Sequence, residues 1–232
     1  MEKFKDAKRL NETLLRPLER KTLGWLVKYL PNRVHPDHLT VITIIASVLI
    51  GLSYYLTNIN NNFLWLASLG FILNWFSDSL DGTLARYRHI ERPKYGFFVD
   101  HITDAITEFI IVLGLGLSPY IRLDIALYCL VGYLMLSILT YINTYIQGLF
   151  QLSYGKLGPT EVRVIFIILN TLLYFGVNTE VEISKFDLRL TILDTVGLVI
   201  GTIFLIIFII FSLKHRSVLA KIDPPKYTRH NS

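Results

Sequence analysis

Apolar residues in this chain of 232 residues occur in six blocks of about 20, the length of helix that spans a bilayer. With 52% hydrophobic residues, the chain is too apolar for an ordinary soluble domain. We therefore predict an all-α integral membrane protein built as a six-transmembrane-helix bundle. The predicted spans are residues 38–57, 64–86, 97–118, 123–150, 160–178 and 190–213.

The segment before the first span has the pattern of an amphipathic helix. In residues 1–35, Leu and aromatic residues recur at helical spacing between charged residues, from Leu10 to Leu30. We predict an amphipathic juxtamembrane helix on the cytoplasmic surface, with a helix packed on the spans as the alternative. The predicted organisation is a cytoplasmic amphipathic segment (1–35), a six-span domain (36–214) and a cytoplasmic tail (215–232), without a cleaved signal peptide.

The basic residues predict the orientation in the membrane. If the N-terminus is cytoplasmic, 20 of the 23 Lys and Arg residues fall on the cytoplasmic side, and Arg122, Lys185 and Arg189 lie outside. Both termini are therefore predicted to be cytoplasmic. The net charge of +5 is explained by this membrane face, so nucleic acid is not expected as a partner. Cys129 is the single cysteine, which excludes a disulfide framework and a Cys-based metal site.

Four carboxylates lie inside the second and third predicted spans. Asp78 and Asp81 are three residues apart, and Asp100 and Asp104 are four apart, so each pair projects from one helix face. Both pairs are predicted at the cytoplasmic ends of adjacent spans. Their mutual repulsion would be relieved by protonation or by bound divalent cations. Mg²⁺ or Mn²⁺ prefers such an all-oxygen ligand set and typically accompanies a phosphorylated substrate.

Small residues accompany the carboxylates. Gly82 follows Asp81, Ala85 lies about one turn further, and Gly96 lies one turn before Asp100. These positions predict room for a nucleotide pyrophosphate or, alternatively, ordinary close packing of helices. Arg86 is either a phosphate ligand or an interfacial cation.

The complete pattern is Asp78-x-x-Asp81-Gly82-x-x-Ala85-Arg86, nine residues, then Gly96-x-x-x-Asp100-x-x-x-Asp104. It resembles the signature of the CDP-alcohol phosphotransferase family at all eight positions. The resemblance implies a membrane-embedded homodimer that transfers a substituted phosphate group from a CDP-linked alcohol to a hydroxyl acceptor and releases CMP. Such an enzyme acts in phospholipid synthesis.

The resemblance also implies roles for the signature residues. Asp78, Asp81 and Asp100 would bind two divalent ions, and Asp104 would be the base for the acceptor hydroxyl and a further metal ligand. The CDP-binding residues would be Asp78, Gly82, Ala85, Arg86 and Gly96.

Residues outside the signature are weaker candidates. Lys156 and Arg163, near the cytoplasmic start of span five with Glu161, are predicted to bind the acceptor, and the alternative is an ordinary basic membrane face. His101 is expected to point away from Asp100 and to support or pack, because a helix turns by about 100° per residue. Glu108 continues the Asp100 and Asp104 stripe and is expected to hold an Arg or water. Asp194 is expected to be structural.

The expected donor is CDP-diacylglycerol, because family members of bacterial size mostly use it, and the expected location is a bacterial cytoplasmic membrane. The alternative within the family is transfer from CDP-choline or CDP-ethanolamine to diacylglycerol, as His101 suggests. An intramembrane prenyltransferase also uses Asp-rich motifs on a pyrophosphate, but it does not require Gly82, Ala85, Arg86 and Gly96. A divalent-cation transporter would need carboxylates across the whole bilayer, whereas these gather at one face.

Overall fold

Helices dominate the structure, a computed structural model that describes residues 14–147, 158–177, 180–183 and 188–225. Each of the six predicted spans corresponds to one long helix. The elements are α1 (Arg16–Leu26) with a 3-10 turn (Val27–Tyr29), α2 (Pro36–Leu56), α3 (Phe63–Tyr87), α4 (Pro93–Gly116), α5 (Leu123–Gln147), α6 (Pro159–Tyr174), β1 (Glu180–Ile183), β2 (Leu188–Thr191) and α7 (Ile192–Ile222).

Among the described residues, four helices are long and apolar enough to cross a membrane: α2, α3, residues Leu123–Ile146 of α5, and α7. They establish an integral membrane protein. The other two predicted spans, α4 and α6, do not meet these criteria of length and apolar composition, each for a different reason. Helix α4 contains the charged residues Lys94, Asp100, Asp104 and Glu108, and α6 has only 16 residues.

Local sequence explains where several of the helices begin. Pro36, Pro93 and Pro159 stand in the first turn of α2, α4 and α6, where a missing N–H costs nothing and the fixed φ suits a helix. Helix α7 begins with a capping box, in which the Thr191 hydroxyl accepts from the Asp194 N–H at 3.1 Å and the Asp194 carboxylate accepts from the Thr191 N–H at 2.8 Å.

Asp194 also joins the start of α7 to the residue before α5. Its second carboxylate oxygen accepts a 2.8 Å hydrogen bond from the backbone N–H of Arg122. Only 1% of the residue is exposed. Both carboxylate oxygens of this buried group are therefore used by the fold, which is the structural role expected of it.

The long helices pack in the order α7, α5, α4, α2, α3, α6. Helix α2 is therefore central and supports both helices that carry the signature. It approaches α4 closely at two glycines: a Cβ added at Gly114 would lie 2.3 Å from the backbone oxygen of Gly51. Backbones come this close only where side chains are absent.

We expect Gly114→Ala to destabilise the protein by about 1–3 kcal/mol, the usual cost of overpacking, because the new methyl group would meet backbone atoms. Thermal unfolding in detergent measures the effect. Gly24→Ala in α1 is the matched control, since an added Cβ there meets nothing within 4 Å. That control should be stabilised by roughly 0.5–1 kcal/mol. An unfolding temperature for Gly114→Ala at or above that of the control would contradict this packing.

At a distance from the signature residues, buried polar contacts attach α6 to α2 and α3. The Tyr54 hydroxyl donates to Oδ1 of Asn170 at 2.8 Å, and the Asn170 amide donates to Ser68 at 3.1 Å. Phe71 of α3 stacks on Phe166 of α6 with ring centroids 5.2 Å apart. These contacts hold α6 against α3 and fix where the charged start of α6 lies.

Helix α1 packs against the end of the bundle that carries the signature. Leu23 and Val27 are buried in a cluster with Leu39 of α2 and with Leu80 and Leu84 of α3. Further apolar side chains of this segment are exposed, namely Leu14, Leu18, Trp25 and Tyr29. The helix thus packs on the spans through one face and leaves other apolar side chains uncovered.

Two features differ from the sequence prediction. Residues 178–189, between predicted spans five and six, have the sequence pattern of a long outer loop. The structure instead has an antiparallel hairpin there, in which Glu180 pairs with Thr191 and Ile183 with Leu188. In addition, α7 continues to Ile222, past the predicted end of the membrane domain at residue 214. The first part of the predicted tail is therefore helical.

Candidate active site

Three of the four signature carboxylates converge between α3 and α4. Asp78 of α3 and Asp100 and Asp104 of α4 each offer an oxygen, and these atoms all lie within 4.8 Å of one another. The helical spacing explains part of this, because Asp100 and Asp104 project from the same face one turn apart. A compact set of carboxylate oxygens fits the preference of Mg²⁺ and Mn²⁺ for hard oxygen ligands.

Asp81 has a different orientation from the other three. Its carboxylate accepts hydrogen bonds from the backbone N–H of Gly82 and from the Thr40 hydroxyl, the latter at 3.4 Å. Thr40 lies in the first turns of α2, so this carboxylate is turned toward α2. Asp81 is close enough to Asp78 and Asp100 to interact with them electrostatically. It lies beside the three-carboxylate group and is not part of it.

Arg163 of α6 reaches this group directly. Its Nη2 atom lies 2.6 Å from Oδ2 of Asp78, and its Nε atom donates to Oδ1 of Asn74 at 2.8 Å. Both partners in the ion pair are largely covered, with 13% of the Arg163 side chain and 19% of the Asp78 side chain exposed. The guanidinium therefore offsets one of the clustered negative charges.

Asn74 holds the other side of Arg163. It is 1% exposed, and its amide donates to Ser47 Oγ at 3.0 Å and to the Thr43 carbonyl at 3.3 Å. With every polar atom of the amide group engaged, the orientation of its Oδ1 atom is fixed. Asn74 is not part of the signature, and its spacing from Asp78 superficially fits the prenyltransferase alternative. The available signal was its spacing, because Asn74 lies four residues before Asp78 on the same helix face.

The small signature residues border open space. An added Cβ at Gly96 would meet nothing within 4 Å, and at Gly82 it would meet only the guanidinium of Arg86, at 3.3 Å. Neither glycine is therefore needed for contact with a neighbouring helix. Ala85 is half-buried one turn before the loop, and Arg86 is exposed with its Nη2 atom 3.3 Å from the Thr83 hydroxyl.

His101 and Glu108 contact α5. His101 is buried, with its Nδ1 atom 2.7 Å from the Phe97 carbonyl and its ring 4.6 Å from that of Tyr141. Its role here is packing beside the signature. Glu108 lies one turn beyond Asp104 and is close enough to Tyr133 of α5 to interact with it electrostatically. It continues the carboxylate stripe toward the interior of the bundle.

Of the residues predicted to bind the acceptor, Arg163 lies at the carboxylate group, and Lys156 lies outside the described residues. Glu161, between them in sequence, is buried and serves the fold. Its two carboxylate oxygens accept from the backbone N–H groups of Gly158, at 2.9 Å, and Leu15, at 2.7 Å. It thus caps α6 and anchors the residue before α1.

Glu19 of α1 is a carboxylate for which the sequence predicted no role. Its Oε1 atom accepts from Trp75 Nε1 at 3.2 Å, from Ser79 Oγ at 2.8 Å and from Thr160 Oγ1 at 2.9 Å. The donors belong to α3 and α6. No spacing rule could have identified them, because they lie at least 56 residues away in the sequence.

An apolar cleft opens between α1, α3 and α6, with a volume of about 280 Å³. Arg163 and Glu19 are among its lining residues, so the cleft reaches the group that contacts Asp78. The apolar walls include Leu18, Phe71, Ile72, Val164 and Ile167.

Comparison with known proteins places this site in a family. A sequence model of the CDP-alcohol phosphatidyltransferase family matches residues 33–221, which include every signature residue. Cholinephosphotransferase 1 of Bos taurus is 26% identical over 204 residues, covering 83% of this chain and 49% of that protein. The Gallus gallus protein of the same name is 28% identical, covering 82% of this chain and 59% of that protein.

An archaeal relative matches a shorter region. Archaetidylinositol phosphate synthase of Pyrococcus horikoshii is 32% identical over 123 residues, covering 52% of this chain and 59% of that protein. The chain spans about half the length of the cholinephosphotransferases it matches. The family match over most of its length and the eight signature positions agree: the chain belongs to the CDP-alcohol phosphatidyltransferase family.

Proposed function

We propose that this protein transfers a substituted phosphate group from a CDP-alcohol to a hydroxyl acceptor, releasing CMP. The observation that carries the proposal is the meeting of Asp78, Asp100 and Asp104 within 4.8 Å, beside Arg163. Family membership and the names of the relatives support the same reaction class. The product would be a phospholipid.

The proposed roles follow the sequence prediction. Asp78, Asp81 and Asp100, with Asp104 as a further ligand, would hold two divalent ions, Mg²⁺ or Mn²⁺, which offset the charge of the donor pyrophosphate. Asp81 would become a metal ligand once its carboxylate has turned away from Thr40. Asp104 accepts the proton of the acceptor hydroxyl, whose oxygen forms a bond to the β-phosphorus as the bond to CMP breaks. Gly82, Ala85, Arg86 and Gly96 would line the CDP pocket, consistent with the open space at both glycines.

Arg163 is proposed to bind a phosphate of the acceptor in addition to Asp78. A guanidinium presents several N–H donors in a fixed plane, so it can keep its Nε bond to Asn74 while another N–H meets a phosphate oxygen. Lys156 remains a proposed acceptor ligand from its place in the sequence.

The cleft favours CDP-diacylglycerol as the donor. It is lined by α1, α3 and α6 and reaches Arg163, the partner of the proposed donor ligand Asp78. No residue of α4, which carries the proposed base Asp104, is among its lining residues. An acyl chain in this cleft is therefore better placed to belong to the donor than to the acceptor. The acceptor would then be a small soluble alcohol.

Transfer from CDP-choline or CDP-ethanolamine to diacylglycerol is the second candidate. It is favoured by the cholinephosphotransferases, which match 83% of the chain, and by His101 directly after Asp100. In this case the lipid is the acceptor, and its hydroxyl would have to reach Asp104.

Release of CMP from a CDP-alcohol by the purified protein tests the proposal. Wild-type protein in detergent is supplied with Mg²⁺ and a panel of donors: CDP-diacylglycerol with glycerol phosphate, inositol, inositol phosphate or serine, and CDP-choline or CDP-ethanolamine with diacylglycerol. We expect CMP from CDP-diacylglycerol in the presence of one of these alcohols. Consumption of a prenyl diphosphate with no CMP from any donor would support the prenyltransferase instead. Uptake of Mn²⁺ by reconstituted vesicles without either reaction would support the transporter.

Six spans with cytoplasmic termini, in a bacterial cytoplasmic membrane, and a homodimer are part of the proposal. The charges that interrupt α4 are those of the site itself, so they do not argue against a span. Helix α6 is about 24 Å long at 1.5 Å per residue, slightly short of the hydrocarbon thickness. The amphipathic segment 1–35, the domain 36–214 and the tail from 215 keep their proposed places, although α7 extends into the tail.

A further inference from the structure

Two parallel rows of side chains connect α3 to the rest of the site. Positions 74 and 78 of α3 contact Arg163, and positions 75 and 79, the next residue in each case, donate to Glu19. Both rows have the i, i+4 spacing of one helix face. The contacts of Glu19 on α3 therefore lie directly beside those of Arg163.

Glu19 also reaches α6 one turn from Arg163. Thr160 donates to Glu19 at 2.9 Å and lies three residues before Arg163, so the two side chains project from the same side of α6. A single carboxylate oxygen thus joins α3 and α6 at the level where Arg163 crosses between them. Hydrogen bonds to a carboxylate are stronger than those between neutral groups.

We propose that Glu19 is a positioning residue of the active site: by bridging Ser79 and Trp75 of α3 to Thr160 of α6, it holds Arg163 against Asp78 and Asn74. The inference rests on the proposed function only in taking Asp78 as a metal ligand. The amphipathic segment then contributes directly to the geometry of the site. Loss of Glu19 releases α6 at its charged end and weakens the ion pair between Arg163 and Asp78.

Binding of Mn²⁺ to protein without nucleotide tests the proposal, with free Mn²⁺ measured by electron paramagnetic resonance. Arg163 competes with a cation for Asp78, so Arg163→Ala should tighten Mn²⁺ binding by about tenfold, the effect of one nearby charge. Glu19→Ala should tighten binding by about three- to tenfold, because the ion pair weakens. Removal of the Glu19 charge alone would weaken cation binding, so the two explanations predict opposite directions.

Three further variants make the test specific. Glu19→Gln keeps an oxygen acceptor and should stay within about twofold of wild type. Arg20→Ala, an exposed neighbour on α1, is the matched control and should also stay within about twofold. In the Arg163→Ala background, Glu19→Ala should cause no further tightening. Weaker or unchanged binding in Glu19→Ala, or equal tightening in both backgrounds, would overturn the proposal.

Two measurements cover the cases in which this design fails. If Glu19→Ala does not fold, Thr160→Val removes only one donor and should tighten Mn²⁺ binding by about threefold, beyond the range of the controls. Binding within the range of the controls would overturn the proposal. If wild type binds no Mn²⁺, the proposed metal site is contradicted, and Glu19 is judged by unfolding temperature instead. Glu19→Ala and Arg163→Ala should then lower that temperature by less in combination than the sum of their separate effects, and strict additivity would overturn the proposal.

Discussion

Asp104→Asn is expected to lower the rate of CMP release by about a thousandfold, the typical contribution of a general base. The amide has the same shape and cannot accept the hydroxyl proton, while its oxygen can still face a cation. Asp104 lies on α4 one turn from Asp100, and its oxygen belongs to the same compact group. Donor binding, measured by the donor's effect on unfolding temperature, should therefore stay within a few-fold of wild type.

Asp124→Asn is the control for this substitution. Asp124 lies in the first turn of α5, its side chain is 64% exposed, and it pairs with Arg122, so its loss should leave turnover and donor binding unchanged. If Asp104→Asn retains a tenth or more of the wild-type rate, Asp104 is not the base. If donor binding is lost together with the rate, Asp104 acts mainly as a metal ligand.

Asp100→Asn is expected to lower the affinity for the metal ion, and to lower turnover as a consequence. Even residues that only orient metal ligands typically cost about 10–100-fold in affinity when replaced, so loss of a ligand carboxylate should cost at least about a hundredfold. Mn²⁺ affinity without nucleotide, read by electron paramagnetic resonance, measures this directly. Turnover should fall with occupancy and partly recover as the Mn²⁺ concentration is raised.

Comparison of the two variants separates the roles within the cluster. Asp104→Asn should not recover with added Mn²⁺, because its defect lies in proton transfer. An Asp100→Asn protein with wild-type Mn²⁺ affinity would contradict its assignment as a ligand. The same result for Asp78→Asn would move the metal site away from all three carboxylates, since their oxygens form one compact group.

Local spacing predicted much of this structure, because helices translate sequence separation directly into position. The six apolar blocks became six helices, and the separation of Asp100 and Asp104 placed them on one face. What spacing could not predict was the direction of individual side chains. Asp81 has the expected place on α3 but turns toward Thr40, a residue of another helix.

Contacts between helices that are distant in the sequence account for the other features that spacing could not predict. Arg163 lies 85 residues from Asp78 in the sequence, and the pairing depends on how α6 packs on α3 through Phe71 and Phe166. The bridge from Glu19 depends in the same way on the docking of α1. The hairpin was predicted as a loop because its strands have only four residues each, too few for a clear alternating pattern.

The most direct test of the proposed reaction follows both halves of the donor in one experiment. CDP-diacylglycerol labelled separately in the cytidine and in the acyl chains is incubated with purified protein, Mg²⁺ and each alcohol of the panel in turn. We expect one CMP for each new phospholipid that carries the acyl label, and neither product with a chelator or with Asp104→Asn. CMP formed without a new phospholipid would indicate hydrolysis. The contradicting result has two parts: the label remains in CDP-diacylglycerol with every alcohol, and CDP-choline with diacylglycerol yields CMP under the same conditions. That result would exclude CDP-diacylglycerol as the donor and establish the second candidate.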